Sequence, residues 1–514
     1  MLRRIMLAVT ALLSSGAAEA EWYRASSKHF VVYADDTQSN VKEFTERLER
    51  FDKALRIWHM SAEDVRGPSA RVTVYVVSNV GAVEKLAGSS DIAGFYNPRA
   101  GGSVAFTPRN TSGDLSARAI LFHEYTHHWM LTNWTDAAMP PWFVEGFAEL
   151  HATALFQKDR LVFGAIPLYR RYTVGQMNLL PMDRLLKFDP GRLSPQERDA
   201  LYSHGWALTH YLTFDPERRK LLANYIIALN TGKPAGPSVL TGGAGNLDLK
   251  VNAYIRRPSI PSASFTFAEL PIGAVEVEPL TPAEAAIMPA VLLSQRGVGP
   301  KNALQATMLA RRLAAPFPNN AAAQNELAEA EYDLCSSTID AKPECFSTAE
   351  AAADRALAAD PKSIHALIYK GWSQTAFLKR AKIDDPARWS SARRWFLAAN
   401  RIDTESPEPL IAFYDSFTAA KEAPSANAQA ALLYAYALAP YDGALRMRAA
   451  AVYLGQDKPA EARIAIAPVA YNFDDGKLAG RAQTILKAID SGDTKAALTE
   501  LNKQNDSKDN DPDG

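Results

Sequence analysis

Two cysteines in 514 residues are too few for a disulfide-built mini-fold or a four-thiolate zinc site. Charge of one sign is equally scarce. The 56 Lys and Arg against 57 Asp and Glu exclude a polybasic nucleic-acid binder and an acidic solvating chain. Apolar runs are short, and none reaches the ~20 residues of a membrane-spanning helix, so no transmembrane segment is expected. Nothing reads as a phosphate-binding loop, a dinucleotide fingerprint or a G-x-S-x-G nucleophile turn. What is present is a 47% hydrophobic composition, which rules out global disorder, and a length that suggests about three domains. Histidine is the uneven component: eight of nine lie before residue 211, and only His365 lies beyond.

The N-terminus carries an export pattern. Arg3 and Arg4 precede the apolar run Ile5–Leu13, and Ala18-Glu19-Ala20 has small residues at cleavage spacing. A cleaved signal peptide over 1–20 and an exported, periplasmic or secreted, mature chain are expected. From His29 strand and helix patterns alternate: strands at His29–Tyr33, Arg71–Val77 and Ser103–Phe106, an amphipathic helix over 40–58, then helices over 115–131, 142–157 and 195–230. This assigns an α+β domain to 21–255. Gly, Pro and Ser then suggest a linker over 256–282.

From 283 to 498 the chain is alanine-rich and helical, opened by a capping box at Thr281-Pro282-Ala283-Glu284. Small residues recur at i, i+4, i+7: Ala349, Ala353, Ala356; Ala392, Phe396, Ala399; Ala428, Leu432, Ala435; Ala462, Ile466, Val469. The leading positions are 43, 36 and 34 residues apart, the last step matching a 34-residue helix-turn-helix period. The pattern resembles the tetratricopeptide repeat, TPR, in degenerate units, and a plain helical bundle is the other reading. Cys335 and Cys345 lie in this half, and both a disulfide and two free thiols are open. The polar residues 499–514 read as a disordered tail.

The chemistry gathers in Phe122-His123-Glu124-Tyr125-Thr126-His127-His128-Trp129, which contains H-E-x-x-H. Residues four apart share a helix face, so His123 and His127 can grip one ion, with Glu124 beside it to take a proton from water. A chain of this composition would hold the pattern by chance only roughly 0.02 times. Eighteen residues after His127, Glu145 in Pro141-Trp142-Phe143-Val144-Glu145-Gly146-Phe147-Ala148-Glu149-Leu150 can complete a His₂Glu set with a fourth position open.

H-E-x-x-H followed by W-F-V-E-G-F-A-E resembles the gluzincin metallopeptidases, the thermolysin clan. The resemblance implies a gluzincin-like N-terminal domain of mixed sheet plus active-site helices, joined here to the all-α repeat domain. It further implies one Zn2+ per chain, His123, His127 and Glu145 as its ligands, and Glu124 as general base and proton shuttle. Glu149 would hold a ligand histidine from behind. The clan usually adds a Tyr or His that steadies the oxyanion. Tyr202 and His204 are both candidates, with Tyr211 a third. His128 points about 100° away from the ligand face, beside the site or on the surface, and His29, His59 and His151 read as structural. The G-x-M-E-N motif of clan aminopeptidases is missing. In its place Gly101–Phe106 reads as an edge strand able to pair with an extended peptide, which favours an endopeptidase. The expected partners are a peptide or protein substrate and a protein partner for the repeats. The alternative is a non-catalytic repeat scaffold carrying an inactive metallopeptidase-like domain.

Overall fold

The computed structural model describes residues 22–503 except 64–65, 90–91, 110–116, 188–192, 232–235, 242–245 and 472–475. The expected signal peptide and residues 504–514 of the expected tail lie outside the described residues.

The N-terminal domain is built on a mixed sheet of β1 (Trp22–Ser26), β2 (Phe30–Asp35), β3 (Val72–Val77), β4 (Phe95–Asn97) and β5 (Val104–Pro108). A second sheet contains β6 (Leu155–Phe156), β7 (Arg160–Phe163) and β8 (Ala263–Thr266). A late strand, β9 (Glu276–Pro279), returns to the first sheet, whose order is β4-β5-β3-β2-β1-β9. β2, β3 and β5 are parallel, with Val32 opposite Val74 and Val74 opposite Ala105. Parallel strands need cover on both faces. Here Val72, Val74 and Val76 enter the main core, while Tyr75 stacks between Tyr33 and Phe106 on the other face.

Helices cover the main-core face. α1 (Gln38–Trp58) starts where the Thr37 side chain accepts from the Asn40 N–H, and it buries Val41, Leu48, Phe51 and Leu55 at helical spacing. After α2 (Val80–Ala87) come α3 (Ala117–Asn133) and α4 (Pro141–Ala152). The short α5 (Arg171–Val174) and α6 (Met182–Leu186) lead to α7 (Pro195–Thr213). Then follow α8 (Pro216–Asn230), α9 (Pro237–Thr241) and α10 (Leu247–Ile255). Phe51 of α1 and Phe122 of α3 stack with ring centroids 3.9 Å apart, locking those helices together over the sheet.

α4 and α7 meet backbone to backbone. A Cβ on Gly146 would lie 2.2 Å from the carbonyl carbon of Gly205, and one on Gly205 would lie 2.5 Å from the Trp142 carbonyl oxygen. No side chain fits between these helices at that crossing.

Two expectations are corrected here. Residues 256–282 are not a free linker, because β8 pairs with β7 and β9 pairs with β1. β9 is mostly exposed and β8 half-buried, and both are joined by backbone hydrogen bonds, so no apolar alternation marks them. The strand expected at the sheet edge is β5, which is interior. The edge is β4, three half-buried residues too short to leave a periodic signal.

The remaining described chain is an array of helices. α11 (Pro282–Gln295) begins with the expected capping box between Thr281 and Glu284. Then come α12 (Ala303–Ala314), α13 (Ala321–Ser337), α14 (Phe346–Ala359), α15 (Ile364–Arg380) and α16 (Pro386–Ile402). α17 (Pro407–Ala419), α18 (Ala426–Leu438), α19 (Gly443–Gly455), α20 (Pro459–Ala470), α21 (Gly476–Asp490) and α22 (Thr494–Asn502) complete it. The last helix runs across the tail boundary set at 499. Each helix packs on its successor, and α11, α13, α15 and α17 also pack on one another, which makes them the inner layer. All twelve recurring small or apolar positions lie on α14, α16, α18 and α20 and are at most 4% exposed. Gly371 of α15 makes room for Phe396, whose ring would lie 2.5 Å from an added Cβ. Cys335 and Cys345 are disulfide-bonded, closing the turn before α14.

The N-terminal domain rests against this inner layer. Met288 of α11 completes the apolar cluster of Tyr75, Val104 and Phe106, so the array's first helix covers the sheet face that α1 and α3 leave bare. Polar contacts run along the same seam: the Gly67 N–H to Glu405, Ser69 to Asp403, and Arg296 to the Leu86 carbonyl.

The glycine crossing is testable by thermal and denaturant unfolding. Gly205→Ala should cost about 3 kcal/mol by forcing α4 and α7 apart. Gly480→Ala, whose added Cβ meets nothing within 4 Å on α21, should be neutral or stabilising by about 0.5–1 kcal/mol.

Candidate metal centre

Spacing on α3 and α4 brings the proposed ligands together. His123 and His127 stand one turn apart with their Nε2 atoms 3.1 Å from each other. Glu145 of α4 puts Oε2 3.2 Å from His123 Nε2 and 3.6 Å from His127 Nε2. One donor atom from each residue falls within 4.8 Å of the other two, and among the described residues this is the one such group of three. The imidazoles keep 13% and 12% of their side chains exposed and the carboxylate 2%, so solvent reaches the cluster from the histidine side. Glu145 Oε2 is buried and accepts no hydrogen bond. A buried carboxylate oxygen without a donor, facing two nitrogens turned toward each other, is a donor set that a divalent cation satisfies.

The same groups are coupled electrostatically. Burial pushes the Glu145 carboxyl up, but His127 and His123 outweigh it and hold it well below the usual carboxylate range. Burial likewise lowers His123, yet Glu145 and Glu149 leave its imidazole above the ordinary value. Glu124, half-buried on the next position of α3, is raised mainly by burial.

Glu149 lies one turn after Glu145, 1% exposed, with Oε1 3.7 Å from His123 Nδ1. It is held in turn by two residues that no sequence pattern marks. The Tyr169 hydroxyl donates to its Oε2 at 2.6 Å, and Arg170 donates from Nε and Nη2 to its Oε1 at 3.2 and 3.1 Å. Arg170 also pairs with Asp199 at 2.5 Å. Both Tyr169 and Arg170 sit in a single 3-10 turn, Leu168–Arg170, too short to show periodicity, so only the tertiary fold reveals them.

The two oxyanion candidates separate. Residues two apart on a helix point in nearly opposite directions. The Tyr202 ring lies 6.0 Å from the His123 ring, with the Arg170 guanidinium over its face at 4.5 Å. His204 is fully buried between the carbonyls of Leu180, 2.9 Å from Nδ1, and Thr173, 3.2 Å from Nε2. It does not face the cluster, which corrects that assignment. Tyr211 packs with Arg218 and Tyr254, also apart from the site.

The other histidines are accounted for by packing. His128 is buried and its Nδ1 lies 2.6 Å from the Tyr96 hydroxyl of β4. His59 and His151 face each other at 3.0 Å inside an aromatic cluster with Trp58 and Phe147. His29 pairs with Glu49 at 2.8 Å, and His365 with Glu329 at 3.1 Å. His210 sits between the Tyr254 hydroxyl and the Gly164 carbonyl.

No family model and no curated protein matches the chain. Solved structures that match include a thermophilic TPR protein of Thermus thermophilus, 18% identical, covering 39% of this chain and 97% of that one with a TM-score of 0.32. Another is the Pseudomonas aeruginosa protein pilF, 18% identical, covering 43% and 89% with a TM-score of 0.31. The helical array rests on the packing of each helix on its successor.

Two outcomes follow. Arg170→Ala leaves Glu149 held by Tyr169 alone and should weaken binding of zinc added to this cluster about tenfold or more in competition with a chromophoric chelator. His210 is held neutral by burial, its pKa lowered to about 4. Below about 6.5 the unfolded chain takes up a proton there that the folded chain refuses until about pH 4, so stability is lost over that window. His210→Gln should lose less stability across it, by up to about 1.4 kcal/mol per pH unit in urea melts.

Proposed function

We propose that the chain is an exported zinc-dependent peptidase of gluzincin type, an endopeptidase that uses water to hydrolyse peptide bonds in a peptide or protein substrate. The observation that carries this reading is the convergence of His123, His127 and Glu145, with the buried Glu145 Oε2 facing both imidazoles and Glu124 next to the first of them. Zinc, when bound by these three, supplies a Lewis acid toward the peptide carbonyl and a lowered pKa for water. Export through a signal peptide agrees with the Cys335–Cys345 disulfide, since such bonds persist in oxidising compartments.

The chain's own groups divide the remaining work. Glu124 takes the proton from the attacking water and passes it to the leaving amine. Tyr202, the one oxyanion candidate beside His123, donates its hydroxyl to the oxygen on which charge develops. Glu149 holds the His123 ring from behind, and Arg170 links Glu149 to Tyr202 through its two contacts. β4, as the sheet's edge, offers backbone groups to an extended substrate. The helical array serves as scaffold for this domain and as a surface for substrate or a protein partner.

The test is cleavage of an unfolded casein-like protein by the purified chain, with zinc counted by elemental analysis. One zinc per chain is expected, with activity lost to chelation and lowered about 10²–10⁴-fold by Glu124→Gln. Zinc without turnover that depends on Glu124 would instead support an inactive metallopeptidase-like domain on a repeat scaffold.

A further inference from the structure

The turn between α18 and α19, with the helix ends that flank it, touches four separate segments of the N-terminal domain. The Leu438 carbonyl accepts from Arg66 at 3.4 Å. Tyr441, 3% exposed, packs its ring on His128 with centroids 4.8 Å apart. The Asp442 carboxylate accepts from the Ala100 N–H at 2.9 Å, just past β4. Arg446, 1% exposed, donates to the Thr135 carbonyl at 2.8 Å, just past α3. Its other bonds go to the carbonyls of Pro440 and Ala465 and to the Tyr436 hydroxyl. A buried guanidinium spent on carbonyls is costly unless its hydrogen bonds are kept, so this geometry resists loosening.

His128 is the centre of the arrangement. It follows the candidate ligand His127 directly, is 4% exposed, and joins Tyr96 of β4 on one side and Tyr441 of the array on the other. The same short turn therefore pins the edge strand, the helix that carries the H-E-x-x-H residues, and the loop behind that helix.

We infer that the α18–α19 turn is a built part of the candidate active centre, fixing β4 relative to α3, with Tyr441 as a positioning residue that acts through His128. The array is then required in cis for the centre's geometry. The catalytic consequence rests on the peptidase reading above, but the mechanical one does not. A substrate strand laid on β4 meets the ligand cluster in register only while β4 and α3 hold their spacing, and an offset of about 1 Å can cost up to 10²-fold in rate.

The experiment compares full-length wild type with Tyr441→Ala, Tyr441→Leu, Tyr441→Phe and Arg296→Ala. The last removes a different array contact, to the Leu86 carbonyl, that leaves the turn alone. The first readout is amide hydrogen exchange over residues 95–103, which is independent of turnover. Tyr441→Ala and Tyr441→Leu should speed that exchange about tenfold, Tyr441→Phe should stay within about threefold of wild type, and Arg296→Ala should leave it unchanged. Tyr441→Leu keeps most of the buried volume and stands in should Tyr441→Ala fail to fold. The second readout is kinetic: zinc content stays at one per chain while kcat/KM falls about tenfold in the Ala and Leu variants, chiefly through KM. Unchanged exchange at 95–103 in both, or equal loosening by Arg296→Ala, overturns the inference. Absence of Glu124-dependent turnover in wild type overturns the peptidase reading alone, and the exchange result still decides the clamp.

Discussion

The close crossing of α4 and α7 at Gly146 and Gly205 is the constraint on which the candidate site depends. Helices that meet through side chains sit 8–10 Å apart. With no Cβ on either residue the backbones come into contact, and a methyl group at either position would overlap a carbonyl. That contact sets the rotation of both helices. Glu145, the neighbour of Gly146, is thereby turned toward α3 and its two histidines. On α7 it brings Tyr202 beside His123 and sends His204 into the core. The glycine of the E-G-F-A segment is therefore a packing requirement as well as a motif position.

A second constraint is the cover that a parallel sheet needs. α1 and α3 close one face of the N-terminal sheet, and the other is closed by Met288, Val291 and Leu292 of the first array helix together with Leu86 of α2. The array and the α+β domain thus share a core rather than a flexible joint. The turn between α18 and α19 meets the same domain at the far end of the inner layer. An arrangement of this kind ties the geometry of the candidate centre to helices more than three hundred residues later in the chain.

Legibility in the sequence followed the range over which each feature is decided. The core strands, α1, the capping box at Thr281 and the twelve recurring helix positions were readable, because burial imposes a local period of about 2 or 3.6 on such segments. β4, β8 and β9 were not. They are short, partly exposed and held by backbone hydrogen bonds, to which side-chain patterns are blind. The Gly, Pro and Ser content of 256–282 carried no sign of the two sheet edges that this segment completes.

The same division runs through the site. The sequence by itself determined that His123 and His127 share one helix face and Glu145 and Glu149 another, because i, i+4 spacing is fixed by backbone geometry alone. That the two faces meet was only implied by the resemblance and was decided by packing. Which of Tyr202 and His204 would stand beside them was open, since that depends on how α7 is rotated against α4. Arg170, Tyr169, Tyr96 and Tyr441 enter only through contacts between segments distant in the chain. Only the tertiary structure decided those, because a side chain's partner across a crossing is set by packing, on which local spacing has no bearing.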